Sequence, residues 1–280
     1  MIVTGGASGI GIETVKALAA SGADVTIAAR RVDAAEAVAG DLRAATGNPG
    51  IHVRALDVAD LSSVRAFVAG WDRPLHALIN NAGVMALPTL DRNADGRELQ
   101  FATNYLGHFA LTLGLHPWLK AAQGARVVSV SSTGSLFGSV QWDDLDFRFT
   151  SYDPVLAYGQ SKTACILMAV GIARKWSADR ITGNALNPGA IATNLQRHTG
   201  GLRTPEHLRK TPEQGAATSV LLAASPLLEG ISGRYFDHCE EAELVAERAT
   251  PLQGVAPYAR DPANADRLWD MATAMIGGAK

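Results

Sequence analysis

Ile2-Val3-Thr4 runs straight into Gly5-Gly6-Ala7-Ser8-Gly9-Ile10-Gly11, and Ile12, Val15, Leu18 and Ala19 then follow at helical spacing. A buried strand that enters a glycine turn and leaves it as a helix constrains this chain more than any other segment. Small residues let the backbone approach a pyrophosphate, and a helix N-terminus offers free N–H groups and a partial positive charge. The glycines at 5, 9 and 11 give G-x-x-x-G-x-G, which departs from the general G-x-G-x-x-G pattern. Any loop with a tight turn also uses glycine, so this segment alone leaves a phosphate cradle and a plain turn both open.

The rest of the chain repeats the alternation. Strands are expected at 23–29, 52–58, 75–80, 126–132, 181–187 and 233–239. Helices are expected at 34–45, from Leu61, at 98–122, from about 155 to Trp176, at 211–224 and from Asp261-Pro262 to Gly277-Gly278. Thr211-Pro212-Glu213-Gln214 is a capping box with proline at the first helical position. No internal repeat or low-complexity linker divides the chain. The pattern predicts an α/β fold, a Rossmann-like doubly wound parallel sheet of about seven strands with helices on both faces, in three α/β/α layers. We expect one domain over 1–280, with a cofactor half to about 125, a catalytic and substrate half from 126, and a polar lid at about 190–210.

Composition narrows the function. With 47% hydrophobic and 19% charged residues the chain can bury a large core. A net charge of −2 argues against nucleic-acid binding. Cys165 and Cys239 form no metal or disulfide pattern, and His198, His207 and His238 show no ligand spacing, so no metal is expected. No apolar run reaches the ~18 residues of a membrane helix, and no signal peptide opens the chain. A cytoplasmic protein is expected.

Chemistry-bearing residues gather after the strands, where open α/β sheets bind ligands. The strand at 23–29 ends in Arg30-Arg31, where an acid would hold ribose hydroxyls and arginine receives a 2′-phosphate. Asp57 follows the next strand and serves either an adenine contact or a helix cap. Ser132 ends the strand at 126–132, and Asn104 interrupts an apolar helix. Tyr158 and Lys162 stand four apart on one helix face, and an ammonium beside a phenol favours the phenolate, as proton transfer requires. Tyr-x-x-x-Lys by itself more often marks a solvated helix face. The acidic run 141–147 contains no histidine and reads as a solvated loop or pocket wall.

Taken together, Thr4-Gly5-x-x-x-Gly9-x-Gly11, Asp57, Asn80-Asn81-Ala82-Gly83, Asn104, Ser132, Tyr158-x-x-x-Lys162, Asn187-Pro188-Gly189 and Thr193 make the chain resemble the short-chain dehydrogenase/reductase family over almost its whole length. Ala29-Arg30, Asn104-Tyr105-Leu106-Gly107-His108-Phe109, Asp144-Leu145 and Tyr235-Phe236 before Cys239 are most similar to the retinol dehydrogenase and WW-domain oxidoreductase branch. That branch carries a few more residues ahead of the first strand, so a short first strand is expected. It also tends to have an acid where this chain has His238.

The resemblance implies that Tyr158 is the general acid or base, helped by Lys162, with Ser132 holding the substrate oxygen and Asn104 a relay water. It implies that Gly5, Ser8, Gly9, Ile10 and Gly11 cradle the pyrophosphate. Asp57, Val58, Asn81, Ala82 and Gly83 would line the adenosine half, and Pro188, Gly189, Ile191 and Thr193 the nicotinamide. NADP(H) is the expected cofactor, with NAD(H) the alternative. The expected activity interconverts a carbonyl and an alcohol on an apolar small molecule, with Leu136, Phe137, Trp142, Phe147 and Leu195 shaping the pocket. A non-catalytic NADP-binding regulator on the same fold is the rival, although it has no need of a serine and tyrosine pair. The resemblance also implies a homodimer or homotetramer paired through the helices at 98–122 and 155–177.

Overall fold

The computed structural model describes residues 1–202 and 204–277. Eight strands form one sheet in the order β3-β2-β1-β4-β5-β6-β7-β8. They are β1 (Ile2–Thr4), β2 (Val25–Ala29), β3 (Ile51–Ala55), β4 (Ala77–Asn80), β5 (Arg126–Val130), β6 (Thr182–Asn187), β7 (Tyr235–Asp237) and β8 (Glu240–Glu241). All neighbours run parallel except β7 and β8. The eighth strand, beyond the seven expected, is a two-residue return of β7 through His238 and Cys239, both at positive φ. The chain order reverses between β1 and β4, so the carboxyl ends there open a crevice. β1 is short, as expected, and its three residues are fully buried.

Helices cover both faces: α1 (Ile10–Ala20), α2 (Val32–Thr46) and α3 (Leu61–Ala69), then α4 (Leu99–Phe101), α5 (Gly107–Gly114) and α6 (His116–Ala121), then α7 (Pro154–Lys175), α8 (Pro212–Ala224), α9 (Pro257–Arg260) and α10 (Pro262–Gly277). The final helix ends at Gly277; Gly278, expected at its end, lies outside the described residues. The capping box expected at Thr211 forms, with Gln214 closing it.

Two corrections concern helices. The single helix expected at 98–122 is broken into α4, a π turn at Ala102–Leu106, α5 and α6. In the π turn Gly107 N–H reaches back to the Ala102 carbonyl, which admits one extra residue beside Asn104. Pro117 cannot donate within a helix and its ring crowds the preceding turn, so α5 stops and α6 restarts at His116. Asp57 does not cap α3: Asp60 does, accepting from Ser62 N–H at 2.8 Å.

α7 is long and apolar enough to cross a membrane, yet 89% of its apolar window is buried inside the fold. It is a core helix. One face lies on β5 and β6 and another on α10, where Trp269 meets Gly171.

Candidate active site

The loop after β1 turns through Gly5 at φ 64° and Gly9 at φ 53°, both left-handed. A Cβ on Gly11 would collide with the Gly5 carbonyl oxygen, so this turn admits glycine alone there. α1 begins at Ile10 with no side chain capping it, so its positive end is open to an anion, while Gly11 and Ile12 N–H turn back to the Ser8 and Gly9 carbonyls at 3.1 and 3.3 Å. Across the loop Thr193 closes in, its methyl 3.4 Å from the position of a Gly9 Cβ. A cleft of about 560 Å³ lies here, lined by Gly9, Ala192, Thr193, Asn194, Arg197 and Pro212 among others. Crowded glycines and an uncapped helix start fit a pyrophosphate, and Gly5, Ser8, Gly9, Ile10 and Gly11 stand together around that start.

The residues expected on the adenosine side stand at the neighbouring strand ends. Arg30 and Arg31 are exposed at the end of β2, and neither has an ion-pair partner among the described residues. Asp57 is spent on its own turn, accepting from Ala59 N–H at 3.0 Å while its N–H donates to Ser63 Oγ. Val58 is buried beside it. Asn81 donates from Nδ2 to the Thr4 carbonyl at 2.8 Å, which ties β4 to the mouth of the glycine loop.

The four residues expected to carry chemistry converge. Ser132 leaves β5 in extended conformation, and Tyr158 lies on the first turns of α7, the two flanking Gly134. A Cβ on Gly134 would come within 2.7 Å of the Tyr158 ring and 3.3 Å of Ser132 Oγ. Lys162 Nζ donates to the Val130 carbonyl at 3.0 Å and lies 5.5 Å from the Tyr158 ring centroid. Asn104 Oδ1 and Lys162 Nζ both border Gly83, at 3.1 and 3.7 Å from the position of its Cβ. The Asn104 amide is fully used: Oδ1 accepts from Val84 N–H, and Nδ2 donates to the Val84 carbonyl and to Ser161 Oγ, each at 2.9 Å. Ser161 Oγ in turn donates to the Tyr158 carbonyl at 2.7 Å, which pins the tyrosine turn to the π turn.

Pro188 and Gly189 follow β6, and Ile191 is buried against Gly215. The two ends of the expected lid are joined, Lys210 N–H donating to the Ala190 carbonyl at 2.9 Å. Thr193 and Gln196 form a capping box within that segment, whose residue Arg203 lies outside the described residues.

The apolar pocket residues divide. Phe137 is exposed next to this site, with the Arg248 guanidinium 4.5 Å above its ring, and Leu195 lies in the lid. Trp142 does not line the pocket: it packs against the core under Arg267, beside α10. Phe147 is also elsewhere, buried edge-on to Tyr152. Both fall between Ser132 and Tyr158 in sequence, which points to the pocket, but that insertion folds outward over α7. Among the described residues no cluster of His, Cys, Asp or Glu is placed to hold a metal ion.

Sequence reasoning misses three members of the frame. Ser161 sits inside the Tyr-x-x-x-Lys motif at a position the motif leaves open. Thr4 reads as strand and as the head of the family's glycine motif, and His108 as a mark of the branch, neither with a role of its own. Their spacing carries no signal, since each acts through a partner more than fifty residues away.

A family model described as short chain dehydrogenase matches residues 1–201. The chain is 52% identical to a probable oxidoreductase of Streptomyces antibioticus, over 97% of this chain and 95% of that protein. It is 38% identical to human retinol dehydrogenase 11, over 99% of this chain and 85% of that one. Among solved structures it matches an uncharacterized protein from Mycobacterium paratuberculosis at 33% identity and TM-score 0.79, covering 99% and 92% of the two chains. An NADPH-bound carbonyl reductase from chicken fatty liver shares the fold, at 24% identity and TM-score 0.66 over 91% and 97%. The chain belongs to the short-chain dehydrogenase/reductase family.

Proposed function

We propose that this chain is an NADP(H)-dependent oxidoreductase that interconverts a ketone or aldehyde and its alcohol on an apolar substrate. The observation that carries the reading is the convergence of Ser132, Tyr158 and Lys162 around Gly134 and Gly83, beside the uncapped start of α1. When bound, the nicotinamide supplies or accepts the hydride. Tyr158 gives a proton to the carbonyl oxygen, or takes it from the alcohol. Ser132 Oγ holds that oxygen against the charge that develops on it. Lys162, anchored on Val130, keeps a positive charge below the phenol, and Asn104 and Ser161 keep α7 in register with the loop after β4. The name of the retinol dehydrogenase relatives supports an apolar alcohol, and Phe137 and Leu195 suit one. Arg30 and Arg31 support the choice of NADP(H).

Tyr158→Phe tests it. Proton transfer by a placed side chain contributes on the order of 10²–10⁴-fold, so turnover should fall at least about 100-fold. Cofactor affinity, read by fluorescence titration, should stay near the wild-type value. A variant that keeps its turnover would sink the mechanism.

A further inference from the structure

His108 lies one turn beyond Asn104, and nothing in the chemistry above uses it. It is buried, with 1% of its surface exposed. Nδ1 is 3.0 Å from the main-chain oxygen of Asn104, and Nε2 is 2.8 Å from Thr4 Oγ1. A carbonyl oxygen only accepts, so Nδ1 carries the ring proton and Nε2 accepts from the Thr4 hydroxyl. With its proton committed, Thr4 Oγ1 accepts from the N–H groups of Asn81 and Ala82, both at 2.9 Å. The Thr4 hydroxyl has one other acceptor, the Ile79 carbonyl at 3.4 Å, so the 2.8 Å contact to Nε2 is the shorter of its two.

The surroundings hold the ring in that state. Burial pushes the imidazole down to about 4; the bond to the Asn104 carbonyl opposes this, and the charge of Lys162 adds to it. Lys162 and Cys165 on α7 are the titratable groups near it, the Cys165 thiol donating to the same Asn104 carbonyl at 3.2 Å. A protonated ring would aim a second N–H at a hydroxyl oxygen that already accepts two. Three segments are therefore joined through one neutral imidazole and the Thr4 hydroxyl: the strand end that opens the glycine loop, Asn81-Ala82 after β4, and the π turn with Asn104. Gly107 makes the approach feasible, because a Cβ there would run into the Val58 carbonyl.

We propose that His108 is a positioning residue for the reaction, a neutral bridge that locks the π turn carrying Asn104 to the strand end that opens the cofactor loop. This rests on the function proposed above. A ring that merely filled space could be replaced by phenylalanine. The bridge cannot, since phenylalanine leaves the Thr4 hydroxyl only its longer contact to the Ile79 carbonyl and removes a donor from the Asn104 carbonyl.

The test uses the full chain. Its seven histidines are labelled with ¹⁵N, and His108 is assigned by the signal lost in His108→Gln. At neutral pH His108 should show the neutral Nδ1–H tautomer, with and without NADPH. The other tautomer, or a doubly protonated ring, overturns the proposal whether or not any substrate is turned over. His108→Gln keeps one donor and one acceptor and should retain kcat and NADPH affinity within about threefold, whereas His108→Phe, which cuts the link between Thr4 and the Asn104 carbonyl, should lose about tenfold or more in each. Equal losses in both variants, or a lower Tm in His108→Phe with unchanged kcat and affinity, make the role structural only and overturn it. If His108→Phe does not fold, the tautomer and the kcat of His108→Gln decide. If the wild type reduces no carbonyl while the tautomer and the NADPH affinities behave as stated, the function reading fails and the bridge stands.

Discussion

Arg30 is the residue on which cofactor choice should turn. It is exposed at the end of β2, with no ion-pair partner among the described residues, so its guanidinium is free for a 2′-phosphate. A charge-assisted hydrogen bond contributes about 1.5–3 kcal/mol, so Arg30→Asp should shift the ratio of kcat/KM for NADPH over NADH by about 10- to 100-fold towards NADH. Unchanged preference would remove Arg30 from the account, and Arg31 with a similar exposure would be next in line. The convergence of Ser132, Tyr158 and Lys162 is legible because each follows a strand or shares a helix turn, which chemistry and spacing together reveal. Thr4 and His108 are not, because a buried hydroxyl and a buried imidazole look like core until the strand that faces them is known. Trp142 and Phe147 mislead for the opposite reason: closeness in sequence to Ser132 is not closeness in space.

At the scale of elements, the segment from Glu98 to Leu106 shows how local chemistry outweighs propensity. The Glu98 carboxylate caps α4, accepting from Gln100 N–H at 2.9 Å and Phe101 N–H at 2.7 Å. It is wholly buried, and burial pushes its pKa up to about 7, against the pull of those two bonds and with a further push from Asp146. The folded value thus lies above the unfolded one, near 4.5. Its stabilising contribution is fully present below pH 4.5 and is lost as the pH rises through about 7. Glu98→Gln cannot ionise, so urea midpoints of the two proteins should converge, or cross in favour of the variant, between pH 5 and 8. The relative change should be on the order of 1–3 kcal/mol, since each tenfold change in proton affinity between the two states is worth about 1.4 kcal/mol. A constant difference across that range would show that Glu98 does not titrate in the fold. Apolar periodicity predicts helix over this whole stretch and is right about its direction. The π turn, the cap and the break come from single residues that periodicity averages away.

For the whole molecule, the question is what covers α5 and α7. Family resemblance implies that two copies pair through these helices, yet the chain's own α10 lies on that face. Trp269 meets Phe109 edge-on at 5.0 Å and Trp176 at 5.4 Å, and its ring edge sits 2.7 Å from where a Gly171 Cβ would be. Asp266 on the same helix pairs with Arg174 at 2.7 Å and Lys175 at 3.5 Å, closing the end of α7. Those surface pairs contribute little, so the tryptophan carries the seal. A second copy can reach this face only if α10 leaves, and burying a Trp side chain against three partners makes that costly. Light scattering should therefore report a particle of about 29.3 kDa for the wild type. Trp269→Ala should lose about 3–5 kcal/mol of stability and release α10, so that the exposed helices associate as concentration rises. A wild-type dimer with Trp269 still protected from quenchers would show instead that pairing uses another surface and that α10 has no part in it.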